Sequence, residues 1–252
     1  MEYILEVLEV SKKFGGVVAL NSVSLKIPRG LMTLLIGPNG SGKTTLINVV
    51  SGIYRPDGGR IVFDGSEIGG LPPHQIERRG LVRTFQIPQP FTRLTVFENL
   101  LTAYEHNRGE SFAAAPLKRF WLEDEERAAE KASTVLRLIR LDHLWDQPAY
   151  KLSGGQMKLL EVGRALMSGA KMVMMDEPAA GINPALAHEL FNHLRELNEK
   201  TGVTFLLIEH RLDIALQYVD RVYAMHLGRV IAEGRAEEVL SSTVVVESYL
   251  GG

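Results

Sequence analysis

The run Gly37-Pro38-Asn39-Gly40-Ser41-Gly42-Lys43-Thr44 has the residue types and spacing of a phosphate-gripping loop. Its glycines let successive backbone N–H groups close around an anion, and a helix starting at its end turns the positive pole of its dipole on the same charge. Lys43 is then placed to reach the β- and γ-phosphates of a nucleotide, and the Thr44 hydroxyl to bind Mg²⁺. Thr45 follows on the same turn. An ordinary glycine-rich turn is the competing reading. Context argues against it: the apolar Leu34-Leu35-Ile36 precedes the loop and a helical run, Thr45 to Val50, follows it.

A second chemical centre lies where the apolar run Met172-Val173-Met174-Met175 ends in Asp176-Glu177-Pro178. A buried strand that delivers a carboxylate beside a phosphate loop completes a nucleoside triphosphate site. Asp176 is expected to hold Mg²⁺ through water. Glu177, one residue on, is expected to orient or deprotonate the attacking water. The plain alternative is a strand end whose acids face solvent.

The elements that must carry these residues fall into three sections. Up to about residue 86 the chain is rich in strand patterns: Ile4 to Val10, Ser22 to Ile27, Leu31 to Ile36 and Arg60 to Phe63, split by Pro28-Arg29-Gly30, Gly58-Gly59 and Asp64-Gly65. From about 87 to 150 the pattern becomes helical, with Ala128, Ala132, Val135, Leu136 and Ile139 on one face. The acidic Glu123 to Glu126 reads as a solvated helix start. The third section alternates again. Lys171 to Met175 and Val203 to Ile208 read as buried parallel strands, and Ala185 to Glu199 as a helix with Leu186, Leu190, Leu194 and Leu197 on one side. Alternating strand and helix predict an α/β core with a parallel sheet, built from 1–86 and 151–252 around a helical subdomain at 87–150.

Composition narrows the function. The 252 residues are 45% hydrophobic, enough for a substantial core. A formal charge of −2 without a basic run gives no electrostatic footprint for nucleic acid. The absence of cysteine excludes disulfides and thiolate metal sites and fits a reducing compartment. Glu2, Glu6 and Glu9 interrupt the N-terminal stretch, so it does not read as a signal peptide. No run nears the roughly 18 apolar residues a membrane helix needs. There is no internal repeat, so one nucleotide-binding unit is expected.

Leu152-Ser153-Gly154-Gly155-Gln156, followed by a helical run from Met157 to Met167, resembles the signature motif of ABC ATPases and stands before Asp176 as in that family. A capped helix start with flexible glycines is the structural alternative. The resemblance covers nearly the whole chain. It implies a P-loop NTPase core with a mixed sheet, an antiparallel β subdomain and an inserted helical subdomain. It also implies that Ser153, Gly154, Gly155 and Gln156 contact the ATP held by an opposite subunit in a head-to-tail dimer. By the same resemblance Gln86 is the glutamine that senses Mg²⁺ and joins the core to the helical subdomain, His210 is the switch histidine at the γ-phosphate, and Phe14 stacks on adenine.

Phe14-Gly15-Gly16-Val17-Val18-Ala19-Leu20, Arg83-Thr84-Phe85-Gln86, Glu177 to Pro184 and Ile208-Glu209-His210 resemble the ATP-binding subunits of branched-chain amino acid importers, the LivG type. This implies MgATP as cofactor, transmembrane permease subunits as partners, and a second copy or a LivF-like sibling. The solute-binding protein would act only indirectly, and the chain would sit on the cytoplasmic face of the membrane. Residues 86–100, with Phe91 and Phe97, are expected in the permease-facing groove, or else in plain subdomain packing. Asn183 stands where many ABC ATPases carry Asp, and the signature has the general ABC form from which many LivG-type chains depart. Another solute, such as urea or short amides, stays open. So does a non-transport ABC ATPase, although the segment between loop and signature lacks the heptads of a DNA-repair coiled coil. A regulatory subunit without turnover is a third reading, which the presence of Glu177 and His210 opposes.

Overall fold

The computed structural model describes residues 2–84, 88–104 and 121–250. They form two compact units, one from 1–86 with 171–252 and one from 87–170.

In the first unit, strands β1 (Tyr3–Phe14) and β2 (Val17–Pro28) form an antiparallel hairpin closed by Gly15-Gly16, where Gly15 takes a positive φ of 56°. The far side of β1 pairs with β4 (Gly58–Phe63), and β4 with the short β5 (Ser66–Glu67), so that among the described residues an antiparallel sheet runs β2-β1-β4-β5. The hairpin makes β1 and β2 longer than their apolar cores suggest, because pairing carries both strands out to the exposed tip at Phe14 and Val17.

A second sheet runs β10-β9-β3-β8-β7-β6 among the described residues. Here β3 is Met32–Ile36, β6 Leu81–Arg83, β7 Met172–Asp176, β8 Thr204–Ile208, β9 Arg221–His226 and β10 Arg229–Gly234. Strands β9, β3, β8, β7 and β6 are parallel, and β10 returns antiparallel, which makes the sheet mixed. Both faces of β3 and β8 are covered, since every residue in them is buried. This is the physical reason why, apart from Thr33 and Thr204, both strands are apolar. Helix α1 (Lys43–Val50) places Leu46, Ile47, Val49 and Val50 in one buried cluster with Leu5, Val7, Ile61 and Phe63 of the antiparallel sheet and Leu35, Met174, Leu206 and Ile208 of the mixed sheet. Each such side chain contributes about 1.5–3 kcal/mol by leaving water.

Short helix α2 (Pro73–Glu77) precedes β6, and α6 (Pro184–Thr201) precedes β8. In α6, Leu190, Leu194 and Leu197 are buried as expected, but Leu186 is 40% exposed, and Ala187 takes the inward position on that turn. The helix stops at Gly202, a left-handed C-cap with φ 69°. Helices α7 (Leu212–Ala215), α8 (Ala236–Leu240) and α9 (Thr243–Leu250) complete the unit.

The second unit packs α3 (Val96–Leu101), α4 (Leu122–Leu138) and α5 (Gly154–Met167). Ala128, Ala132, Val135 and Leu136 lie on the buried face of α4, and Ile139, its C-cap, is buried with them. Asp124 departs from the solvated reading of Glu123 to Glu126: it is 4% exposed, with Arg127 at 4.0 Å one turn on. Helix α5, grouped with the core in the sequence reading, belongs to this unit instead. A Cβ at Gly163 would lie 2.7 Å from the Ile139 side chain and 3.0 Å from that of Leu100, so α5 lies tight against its neighbours and carries residues up to 170 with it. No helix among the described residues is long and apolar enough to cross a membrane.

Candidate functional site

Register along the mixed sheet brings the chemistry together. Leu35 of β3 lies opposite Ile208 of β8, and Ile208 opposite Asp176 of β7. The loops leaving these parallel strands therefore emerge at one edge, their carboxyl ends, where α/β sheets bind ligands. They are the 37–42 loop, the 177–183 loop and the 209–211 loop.

Backbone freedom shapes the first loop. Gly37 and Gly42 have φ of 149° and 103°. A Cβ on Gly37 would lie 2.2 Å from the Met225 carbonyl oxygen, and one on Gly42 2.6 Å from that of Ala19, so only glycine fits against β9 and β2. The Gly228 N–H donates to the Ser41 carbonyl at 3.0 Å and backs the loop from the β9–β10 turn. Lys43 folds its Nζ inward, donating to the Gly37 carbonyl at 2.7 Å and the Pro38 carbonyl at 3.0 Å, with Ser41 Oγ at 3.4 Å. Burial pushes the Lys43 ammonium below its usual 10.5, and the carboxylates of Asp176 and Glu177 pull it back up. Asn39, Gly40 and Thr44 are exposed, and Thr45 is partly so.

Asp176 sits at the end of β7 with its side chain 13% exposed. Burial raises its carboxyl above the usual 3.8, and Arg83 opposes that shift most strongly. Arg83, at the end of β6, reaches Asp176 Oδ2 at 3.5 Å and donates to Asn48 Oδ1 of α1. The guanidinium thus ties the aspartate strand to the helix that the phosphate loop begins. Its Nε is buried without a hydrogen-bond partner, and burial lowers the guanidinium from its usual value.

Glu177 adopts φ 51°, a left-handed conformation that costs a non-glycine residue about 1–3 kcal/mol. Its N–H donates to the Ile208 carbonyl at 2.9 Å. His210 Nε2 lies 3.2 Å from Glu177 Oε1, so the two expected catalytic residues meet side by side. Glu209 between strand and histidine is 3% exposed, and its carboxylate accepts from the N–H groups of Ala179, His210 and Arg211.

Phe14 is at the hairpin tip, 41% exposed, with its ring edge-to-face on Tyr54 at 5.1 Å and Lys12 Nζ 5.6 Å from its centroid. Gln86 lies outside the described residues. In the second unit Ser153 is the N-cap of α5: its Oγ accepts from the Gln156 N–H at 3.4 Å, and Gln156 Oε1 accepts from the Ser153 N–H at 2.9 Å. Ser153 is exposed, and a Cβ on Gly155 would meet nothing within 4 Å, so the helix start is open to an approaching anion. Phe91, 52% exposed, stacks beside Arg164 at 5.4 Å, and Phe97 packs its ring edge against Trp145 at 6.1 Å.

Sequence reasoning gave Arg83 and Glu209 no role and did not raise Asn48. Each is a polar residue beside a strand end or on a helix, and at least one partner of each lies far away in sequence. The readable signal was at most a charged residue next to an apolar run.

Residues 20–180 match the ABC transporter family. A relative from Archaeoglobus fulgidus, named probable branched-chain amino acid transport ATP-binding protein LivG, is 54% identical over 98% of this chain and 95% of its own length. One of the same name from Methanocaldococcus jannaschii is 51% identical over 98% and 97%. A crystal structure of an ABC transporter's ATP-binding cassette in its ADP conformation superposes with a TM-score of 0.85 at 50% identity, covering 100% of both chains. The chain belongs to the ABC transporter family, as one of its ATP-hydrolysing, nucleotide-binding cassettes.

Proposed function

We propose that this chain is the ATP-hydrolysing subunit of an ABC importer that drives uptake of branched-chain or other hydrophobic amino acids through a separate permease. The observation that carries the reading is the convergence of Lys43, Asp176, Glu177 and His210 at the carboxyl ends of adjacent parallel strands. The relatives' printed names supply the solute class.

In this reading the N–H groups of Gly40 to Thr44 hold the β-phosphate, and Lys43 turns from its loop carbonyls to the γ-phosphate. Phe14 faces adenine. The Thr44 hydroxyl and the Asp176 carboxylate are all-oxygen donors, which suits Mg²⁺, an ion that keeps most of its shell as water and phosphate. With Gln86 they would hold it, and the ion would neutralise charge on the phosphates. Glu177 accepts a proton from the attacking water, and His210 fixes the carboxylate's direction. Ser153, Gly154, Gly155 and Gln156 of one protomer offer a helix N-terminus to the nucleotide of the other, so two protomers, or this chain and a sibling, close head to tail. Closure and release would move the helical unit, whose exposed Phe91 suits a permease-facing surface at the cytoplasmic side of the membrane.

The test is proteoliposome transport by this chain reconstituted with the permease that co-purifies with it. ATP-dependent uptake of leucine, isoleucine and valine, abolished by Glu177→Gln, is expected. Uptake of an unrelated solute instead would overturn the substrate class, and full transport by the variant would overturn the catalytic assignment.

A further inference from the structure

We propose that Glu209 is a positioning residue that locks the loop carrying Glu177 to the loop carrying His210, and so fixes their mutual geometry without touching nucleotide. The inference rests on the catalytic reading of those two residues. Its basis is a carboxylate only 3% exposed, whose hydrogen bonds all go to backbone and are split between two loops. Oε1 accepts from the Ala179 N–H at 2.6 Å, while Oε2 accepts from the N–H groups of His210 at 3.0 Å and Arg211 at 3.3 Å. A buried carboxylate is costly unless its lone pairs are satisfied, and here the satisfying donors are the backbones to be held.

Neighbouring bonds point the same way. The Glu177 N–H donates to the Ile208 carbonyl at 2.9 Å, and Arg211 Nη1 reaches the Ile182 carbonyl at 3.4 Å. Glu177 is held in a left-handed backbone conformation with φ 51°, and such strain persists only where the surroundings over-determine it. Glu209 supplies the charged part of that constraint. Released from it, the 177–182 turn is free to relax, and the 3.2 Å approach of His210 Nε2 to Glu177 Oε1 is no longer enforced.

Glu209→Gln tests this. The amide keeps the shape and one acceptor oxygen, but its NH₂ then faces a backbone N–H on one of the two loops. A displacement of about 1 Å at a catalytic group costs up to about 100-fold in rate. We expect kcat to fall at least roughly tenfold while the equilibrium affinity for MgATP stays within about twofold, since Glu209 bonds to neither the phosphate loop nor Asp176. The imidazole ¹⁵N signals of His210, assigned with His210→Ala, should move in the variant. An unchanged kcat overturns the proposal. So does a loss of kcat and MgATP affinity in proportion with unmoved His210 signals, which would mark a purely structural role. If Glu209→Gln does not fold, Glu209→Asp, too short to span both loops, is judged by the same results, and failure of both to fold assigns Glu209 to the scaffold and ends the proposal. Glu177→Gln and His210→Ala, assayed alongside, separate the two layers: if they keep turnover the catalytic reading fails, and if they lose it while Glu209→Gln does not, only this inference fails.

Discussion

Arg83→Met should destabilise the larger unit through one charge pair. Methionine keeps much of the side-chain stem and removes the guanidinium that faces Asp176 Oδ2 at 3.5 Å. At that separation, with an effective dielectric of about 20, the gross attraction is roughly 5 kcal/mol. Removing one partner of a buried pair leaves the other uncompensated and costs about 3–5 kcal/mol. Two features reduce the loss here. Both side chains keep 13% exposure, and burial already raises the Asp176 carboxyl above its usual 3.8, which lowers the cost of neutralising it. We therefore expect a loss of about 2–3 kcal/mol, or about 4–12 °C in Tm for a chain of this size. Urea unfolding of wild type, Arg83→Met, Asp176→Asn and the double variant, without nucleotide, isolates the pair. With the carboxylate removed, Arg83→Met should cost less than in wild type, giving a coupling of about 1–2 kcal/mol. Equal losses in both backgrounds, within about 0.5 kcal/mol, would refute the charge pair and leave Arg83 acting through its bond to Asn48 and packing alone.

Other outcomes follow from single features. Gly42→Ala forces a side chain to φ 103° with its Cβ 2.6 Å from the Ala19 carbonyl; thermal melts should show at least about 2 kcal/mol lost, and nucleotide titration should show binding abolished. Asn183 caps α6 through a 2.9 Å bond from the Leu186 N–H, so Asn183→Ala should cost about 0.5–2 kcal/mol in urea unfolding, while Asn183→Asp keeps the cap and is no less stable. Burial raises Glu161 above its ordinary 4.5, against the Gln89 N–H, Arg164 and Lys158. A carboxyl raised in the folded state favours folding while protonated and loses that contribution as pH climbs through the raised value. Stability against pH above 4.5 should therefore slope downward less in Glu161→Gln than in wild type, read by urea melts at stepped pH.

Legibility in the sequence followed the range of the interaction. The phosphate loop is local: strand, glycines, lysine and helix are contiguous, and its geometry is written in eight residues. Strands β7 and β8 were readable because burial on both faces demands largely apolar runs, and β3 from its β-branched and apolar residues. Strand β5 and helix α7 are two and four residues long, too short to show any period. The allegiance of α5 was hidden because it depends on Gly163 meeting Ile139 and Leu100, a matter of packing rather than pattern. Arg83 and Glu209 were opaque for a related reason. A buried charge is recognised by its partner, and Asp176 and Ala179 lie on other elements. Ser153 was read in two ways, as cap and as anion ligand. The capping box is present and uses the N–H groups of Ser153 and Gln156, which leaves those of Gly154 and Gly155 to the other role.

The composite nucleotide site can be tested by disulfide trapping, since the chain has no cysteine of its own. In the Glu177→Gln background, Asn39→Cys is placed on one preparation and Ser153→Cys on another, and the two are mixed with MgATP under mild oxidation. The account predicts a crosslinked dimer from the mixture that depends on ATP and is absent from either preparation alone. Equal crosslinking in each preparation by itself would contradict it, as would the absence of any crosslink at saturating nucleotide both in the mixture and with a co-purifying sibling cassette that carries the matching cysteine.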